Sequence, residues 1–257
     1  MPAEQDNQEI IRPIKGKGDP DLGPVALMVM LHQELKWLVR ISGAVEVRFS
    51  ETPLYRLYQA DGGPSGAPPV ALAGPFFGAP HAVLGLEKLI ALGVKTVWVL
   101  GWCGSLQPDL NAGHFVIPDR AVSEEGTSRH YPIAKKAPEA HPGLTCTVAQ
   151  AAARNGWAYK KGTVWTTDAI YRETPKKVRH FQKMGVLAVD MEMSALLTVA
   201  AYRGADLAAL LVVSDELSSL KWKPGFSNPR LYENTRMGGQ LLLHLARATG
   251  DISDAPD

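Results

Sequence analysis

The sequence predicts an α/β fold: a single domain whose mixed, partly barrel-like central β-sheet is flanked by helices. Three observations carry that expectation. Short apolar, β-branched runs recur along the chain, as in Val25–Leu31, Thr96–Leu100 and Ala208–Val213, and are too short to be helices. Segments with helical spacing separate them, the pattern of strand–helix–strand crossovers. Further short strand candidates near residues 54–74 and 115–122 point to a sheet that curls or bears antiparallel edges.

Residues 1–23 are polar and rich in charge, Gly and Pro, and read as an arm ahead of a domain spanning 24–250. Val25–Leu31 follows Pro24 as a buried strand, and Gln33–Ile41 has helical spacing. Leu54–Ala60 and Val70–Gly74 are strand candidates on either side of the turn-rich DGGPSGAPP. Ala79–Leu92 fits a helix with Gly93 as its C-cap. Thr96–Leu100 is a strand of the buried kind and Phe115–Val122 another. Gly143–Asn155 reads as a helix stopped by Gly156, and Gly162–Thr167 as a strand. Thr174–Met184 is a helix with Thr174 as N-cap and Pro175 in its first turn. Leu187–Val189 is a strand running into the helix Glu192–Tyr202, which Arg203-Gly204 closes. Ala208–Val213 and the helix Leu231–Ala248 complete the order, and residues 251–257 read as a fraying tail.

With 257 residues, 46% of them hydrophobic, the chain can bury one large core. A net charge of +1 supplies no field to draw it to nucleic acid or an anionic membrane, and no basic stripe with interleaved aromatics is present. The longest apolar runs, such as ADLAALLVV, are too short to span a bilayer. Two cysteines, Cys103 and Cys146, make no disulfide framework or zinc cluster, and the polar, acidic N-terminus does not read as a signal peptide, so a cytoplasmic location is expected. His114, His130 and His141 lie too far apart in sequence to suggest a metal site. GGPSG lacks the Lys-Ser/Thr of a phosphate loop, and the pairs Lys135-Lys136, Lys160-Lys161 and Lys176-Lys177 read as solvated faces.

In such sheets ligands bind beyond the carboxyl ends of the strands. Four segments place informative residues there. In GWCGSLQPDL a buried strand ends at Gly101 and Gly104, where a ligand could approach backbone amides; a tight turn is the plainer reading. In TVWTTDAIYRETP, Trp165 is placed to stack on a planar ring, or to be core. AVDMEMSALL sets Asp190 and Glu192 in an apolar strand-to-helix junction, where carboxylates must be paired or hydrogen-bonded. A sugar diol suits them, as does the positive end of a helix. LLVVSDEL delivers Ser214 and Asp215 to a strand end, where a carboxylic acid can protonate a leaving base or simply cap a helix.

Taken together and in order, Gly-x-Cys-Gly-Ser, AGHFVIPDRAV, EEGTSRHYP, the Thr-Thr-Asp strand, VDMEMSALLTVAAYRG and VSDEL resemble the nucleoside phosphorylase family, which includes purine nucleoside phosphorylases, uridine phosphorylases and nucleosidases. The resemblance implies the nucleoside phosphorylase fold and cleavage of a base–ribose bond. It assigns Met191 and Glu192 to the ribose, Asp190 to a second acidic position of purine-specific members, and Asp215 to protonation of the purine N7. Cys103, Gly104, Trp165 and Ser214 fall at base-binding positions, and Arg230 at an arginine that assists the aspartate. YRETPKKVRH lacks the Gln-x-Arg pair of uracil-specific members, which favours a purine or purine-like base.

The pattern departs at the phosphate subsite. MLHQELKW has no Gly-Asp-Pro-type loop and offers Lys36 instead; Val99 stands where a phosphate-binding arginine is expected, and Trp102 follows Gly101 where a hydroxyl residue is expected. Lys36, Gly101 and Trp102 are thus the acceptor candidates. Phosphate as co-substrate is the family's default, water is the alternative nucleophile, and a nucleoside-binding protein without turnover is a third reading. No metal or organic cofactor is implied, and the family's habit predicts a homo-oligomer, dimer or hexamer.

Overall fold

The computed structural model describes residues 9–48, 54–63, 67–134 and 137–250. Lys135-Lys136, the first eight residues of the arm and the tail 251–257 lie outside the described residues. Among the described residues, no helix is long and apolar enough to cross a membrane.

The elements in chain order are β1 (Val25–Val29), α1 (His32–Ser42), β2 (Val45–Glu46), β3 (Arg56–Ala60), β4 (Val70–Gly74), α2 (Ala79–Ala91), β5 (Thr96–Ser105) and β6 (Phe115–Glu124), then α3 (Pro142–Arg154), β7 (Tyr159–Thr167), α4 (Pro175–Lys183), β8 (Ala188–Asp190), α5 (Met193–Arg203), β9 (Asp206–Glu216), β10 (Lys223–Pro224) and α6 (Pro229–Gly250). All strands join one sheet in the order β10-β9-β6-β7-β8-β5-β1-β4-β3-β2, and β9 also pairs with β5. That extra pairing closes β5, β8, β7, β6 and β9 into a ring, with an open wing of β1, β4, β3 and β2. The sheet is mixed: β1 runs parallel to β4 and β5, whereas β8 runs antiparallel to β5 and β9 antiparallel to β6.

Two apolar layers sandwich this sheet. One face carries Leu86, Leu89, Leu196 and Val199 from α2 and α5; the other carries Leu35, Leu38, Leu242 and Ala246 from α1 and α6. Strands buried on both faces are uniformly apolar, which is why β1 and β4 read as unbroken runs.

Three strand expectations are corrected. β5 does not stop at Leu100; it continues to Ser105 because it pairs in parallel with β9 along its whole length, across a bulge between Cys103 and Gly104. Gly101 and Gly104 are therefore strand residues, not a turn. β9 likewise runs to Glu216 and β7 starts at Tyr159, since their polar ends still find ladder partners. β2 and β10 went unpredicted, being two-residue edge strands with no apolar period.

Candidate active site

A cavity of about 640 Å³ opens beyond the ends of β1, β5, β8 and β9. Its walls are built by different chain segments.

The first wall is the β8–α5 junction. Asp190 ends β8, and its Oδ2 accepts from the amides of Glu192 (2.8 Å) and Met193 (2.6 Å), while Oδ1 accepts from Thr166 Oγ1 (2.7 Å). Thr166 in turn accepts from the Ser194 amide at 2.9 Å. Asp190 is thus a buried cap that satisfies the free amides at the start of α5 and stays where the positive end of the helix favours it. Three of its acceptor positions are filled within the protein, so Asp190 braces the start of α5, where Glu192 stands, as well as lining the cavity. Glu192 Oε1 accepts from the Gly78 amide at 2.7 Å, and Met191 lies beside it on the cavity wall. Gly78, with φ +80°, starts α2 and brings Phe76 and Phe77 to the same wall.

Burial pushes the Glu192 carboxyl up to about 8, with the charge of Asp190 adding to the effect. Burial also raises Asp190, to about 6, against the hydrogen bonds from Thr166 and the two amides. The pair behaves as one site that resists holding two negative charges.

The second wall is the end of β9. Asp215 Oδ1 lies 2.6 Å from Ser214 Oγ, and its Oδ2 accepts from the Trp222 indole at 3.0 Å. The Ser214 hydroxyl is also 3.2 Å from the Cys103 carbonyl; its one proton serves the shorter contact to the carboxylate. A Cβ on Gly104 would stand 3.1 Å from Asp215 Oδ2, so the glycine is what lets that carboxylate approach β5. Cys103 lines the cavity as a thiol whose ionisation is strongly opposed by burial and by Asp190 and Asp215.

The third wall is the short 3₁₀ turn after β7, which supplies Ile170 and Tyr171, followed by Glu173. Burial and the charge of Asp215 push Glu173 up to about 7, against the pull of Lys177. Sequence reasoning missed these three residues, together with Phe76, Phe77 and Trp222. The only signal was position: each follows a strand's carboxyl end.

Trp165, expected against the base, is fully buried elsewhere. Its ring stacks on Phe181 of α4 at 4.4 Å and 24°, among Val178, Val186 and Leu106. Side chains alternate along β7; with Thr166 turned to Asp190, Trp165 is directed to α4. On the cavity side, the segment after β7 contributes Ile170 and Tyr171 instead.

The acceptor candidates do not assemble. Lys36 is exposed on α1 and does not line the cavity, because the inward face of that helix is taken by Leu35 and Leu38. Gly101 is buried between Leu211 and Met30. Trp102 does reach the cavity, but its N–H is turned away to Thr235 Oγ1 at 2.9 Å, and it packs near Phe226 at 6.1 Å. Arg230 is exposed in the first turn of α6, tight against Gly113, and outside the cavity. Among the described residues, no lysine, arginine or histidine lines this cavity. Nor does any group of three His, Cys, Asp or Glu side chains among them suit a metal ion.

Comparison with known proteins matches this architecture. Solved structures with the same fold include a uridine phosphorylase from Vibrio fischeri ES114 (TM-score 0.77, 22% identity, 88% of this chain and 92% of that one) and a purine nucleoside phosphorylase from Toxoplasma gondii in complex with immucillin-H (TM-score 0.80, 21% identity, 93% and 99%). Among sequence relatives, a DeoD-type purine nucleoside phosphorylase from Caldanaerobacter subterraneus subsp. tengcongensis is 35% identical over 150 residues, 58% of this chain and 65% of that protein. A guanosine phosphorylase from Halorubrum lacusprofundi is 31% identical over 160 residues, 62% and 66% of the two. The chain therefore spans just under two thirds of the length of these relatives. The sequence model of the Phosphorylase superfamily matches residues 24–231, most of the chain, and with the closed mixed sheet this places the chain in that superfamily.

Proposed function

We propose that the chain cleaves the N-glycosidic bond of a purine-like nucleoside by phosphorolysis, with inorganic phosphate as co-substrate. The observation that carries the reading is that Glu192, from the β8–α5 junction, and Asp215, from the end of β9, line one cavity. Glu192 and Met191 hold the ribose; an ionised Glu192 accepts from neighbouring hydroxyls. Cys103, Gly104 and Ser214 line the base end, and Asp215 faces the leaving ring. As the C1′–N bond lengthens toward an oxocarbenium-like state its electron pair collects on the base, a phosphate oxygen bonds to C1′, and Asp215, protonated in the substrate complex, gives the base its proton or a strong hydrogen bond. Help of that kind is worth on the order of 10²–10⁴-fold. The relatives named purine nucleoside and guanosine phosphorylases support the reaction class.

A hydrolytic reading is favoured by one feature. A phosphate dianion is ordinarily held by arginine forks or clustered amides, and the described cavity lining offers no cationic side chain. Product analysis separates the two: ribose 1-phosphate formed only with phosphate supports phosphorolysis, and free ribose at equal rates with and without phosphate supports hydrolysis. Asp215→Asn should lower turnover on purine nucleosides about 100-fold or more while the protein stays folded. A near-normal rate in that variant removes Asp215 as the acid, and absence of cleavage under both conditions leaves nucleoside binding as the function.

In this reading residues 24–250 form the catalytic domain, with 1–23 as an arm and 251–257 as a tail, in a cytoplasmic enzyme. Phe77 and Tyr171 stand 72% and 95% exposed beside the cavity mouth, a surface a second copy would cover in a dimer or hexamer. Light scattering on the purified protein tests the assembly.

A further inference from the structure

We infer that Glu173 determines base specificity: it selects a base carrying an exocyclic amine beside the ring atom that Asp215 serves, over one carrying a carbonyl there. The inference rests on the glycosidic-cleavage reading above.

Glu173 follows the 3₁₀ turn Ile170–Arg172 and lines the same cavity as Asp215. Among the described residues nothing in the chain donates a hydrogen bond to its carboxyl; Asp215 and Lys177 act on it through charge alone. Lys177 is itself engaged, donating to Glu124 at 2.8 Å and lying over the Trp165 ring. The other acids of the cavity, Asp190 and Glu192, belong to the β8–α5 wall.

The remaining polar groups sharpen the inference. The Trp222 N–H and the Ser214 O–H serve Asp215, and the Trp102 N–H serves Thr235. No lysine, arginine, histidine, asparagine or glutamine lines the cavity among the described residues. The base end is therefore rich in acceptors, and its side-chain donors besides these include the Tyr171 hydroxyl, on the exposed turn before Glu173. A ring carbonyl facing Glu173 meets carboxylate lone pairs, whereas an amine meets an acceptor that lacks a partner. In a purine, N7 and the 6-substituent lie on one edge, so a carboxyl beside Asp215 reads the 6-position.

The preference depends on protonation. Ionised, Glu173 accepts from the amine; protonated, it can donate to a carbonyl. Its rise to about 7 places that exchange near neutrality. The preference for the amine therefore grows as pH rises through that value and shrinks below it.

The test is the ratio of kcat/KM for adenosine to that for inosine, measured from pH 5.5 to 8.5 with and without phosphate, in wild type and Glu173→Gln. Wild type should favour adenosine on the order of 10-fold at pH 8.5, a polar-group discrimination, with a smaller ratio at pH 5.5. In Glu173→Gln, whose amide both donates and accepts, the ratio should fall to within about twofold and lose its pH dependence, with a melting temperature unchanged at pH 5.5 and no lower than wild type at pH 8.5. A wild-type ratio that Glu173→Gln leaves intact, or a wild-type preference for inosine at pH 8.5, overturns the inference. If wild type cleaves neither nucleoside with or without phosphate, the cleavage reading fails instead. Calorimetric titration of both nucleosides then decides the role of Glu173, and equal affinities overturn it.

Discussion

Asp215 and Glu192 are both half-buried carboxyls on one cavity, yet their surroundings suit them to different tasks. Asp215 receives two side-chain donors, from Ser214 and Trp222, whereas Glu192 receives the Gly78 amide and suffers from burial and from Asp190. Glu192 must be ionised to accept from two ribose hydroxyls. Because it is pushed up to about 8, kcat/KM should climb with pH to that value and then level off, as a free-enzyme ionisation does. Glu192→Gln should flatten that limb and lower kcat/KM; a profile flat from pH 6 to 9 in wild type would refute the assignment. Trp165 supplies the opposite prediction. It lies outside the cavity and its N–H has no partner, so Trp165→Phe should leave KM within about twofold of wild type. A large rise in KM would return Trp165 to the base site. The sequence could not separate these fates, because an aromatic on a strand points to one face or the other by register, and register is a property of paired strands.

Elements carry their residues to the site. Asp190 is the clearest case: the motif marks it as polar in an apolar stretch, but only the placement of β7 beside β8 shows that Thr166 and two amides donate to it. Asp190→Asn turns an NH₂ toward groups that Asp190 accepts from, and should cost about 1–3 kcal/mol for the broken network. The same variant should lower kcat/KM by displacing Glu192, with thermal unfolding and kinetics as the paired readouts. The helix limits, by contrast, were largely legible. Thr174 does cap α4, accepting from the Lys177 amide at 3.4 Å with Pro175 at the first position. Gly204 closes α5 in the left-handed conformation. These signals are local, since a cap is decided within about four residues. The lengths of β5 and β9 were not legible, because their polar ends are held by a ladder between strands about a hundred positions apart.

At the scale of the whole molecule, the second pairing of β9, with β5, closes the ring and brings the ends of β5, β8 and β9 around one cavity. It also confines acids there, at a cost in stability that depends on pH. Asp190 rises from 3.8 to about 6, Glu173 from 4.5 to about 7 and Glu192 from 4.5 to about 8 on folding. An acid raised in this way binds its proton more tightly folded than unfolded. Its stabilising contribution is complete below the unfolded value and is lost as pH rises through the folded one. The substrate-free protein should therefore lose stability between about pH 4 and 8. Glu192→Gln should remove part of that slope, melting higher than wild type at pH 8.5 but not at pH 4.5, by about 2–4 °C for each kcal/mol recovered. Identical melting curves for the two proteins at both pH values would refute the burial of Glu192 charge.

By itself, the sequence determined the alternation of strands and helices and most helix ends, each written in local terms: periodicity or a capping residue. Its resemblance to a family, rather than any local pattern, singled out Glu192 and Asp215 as the two acids of the proposed chemistry. The tertiary structure alone decided that Asp190 is a cap, that Trp165 belongs to the core, that Lys36 and Arg230 stand outside the cavity, and that Glu173 joins it. The physical reason is that burial, charge and hydrogen-bond supply at a site are sums over neighbours from strands and turns distant in sequence, and those sums exist only once the sheet has closed.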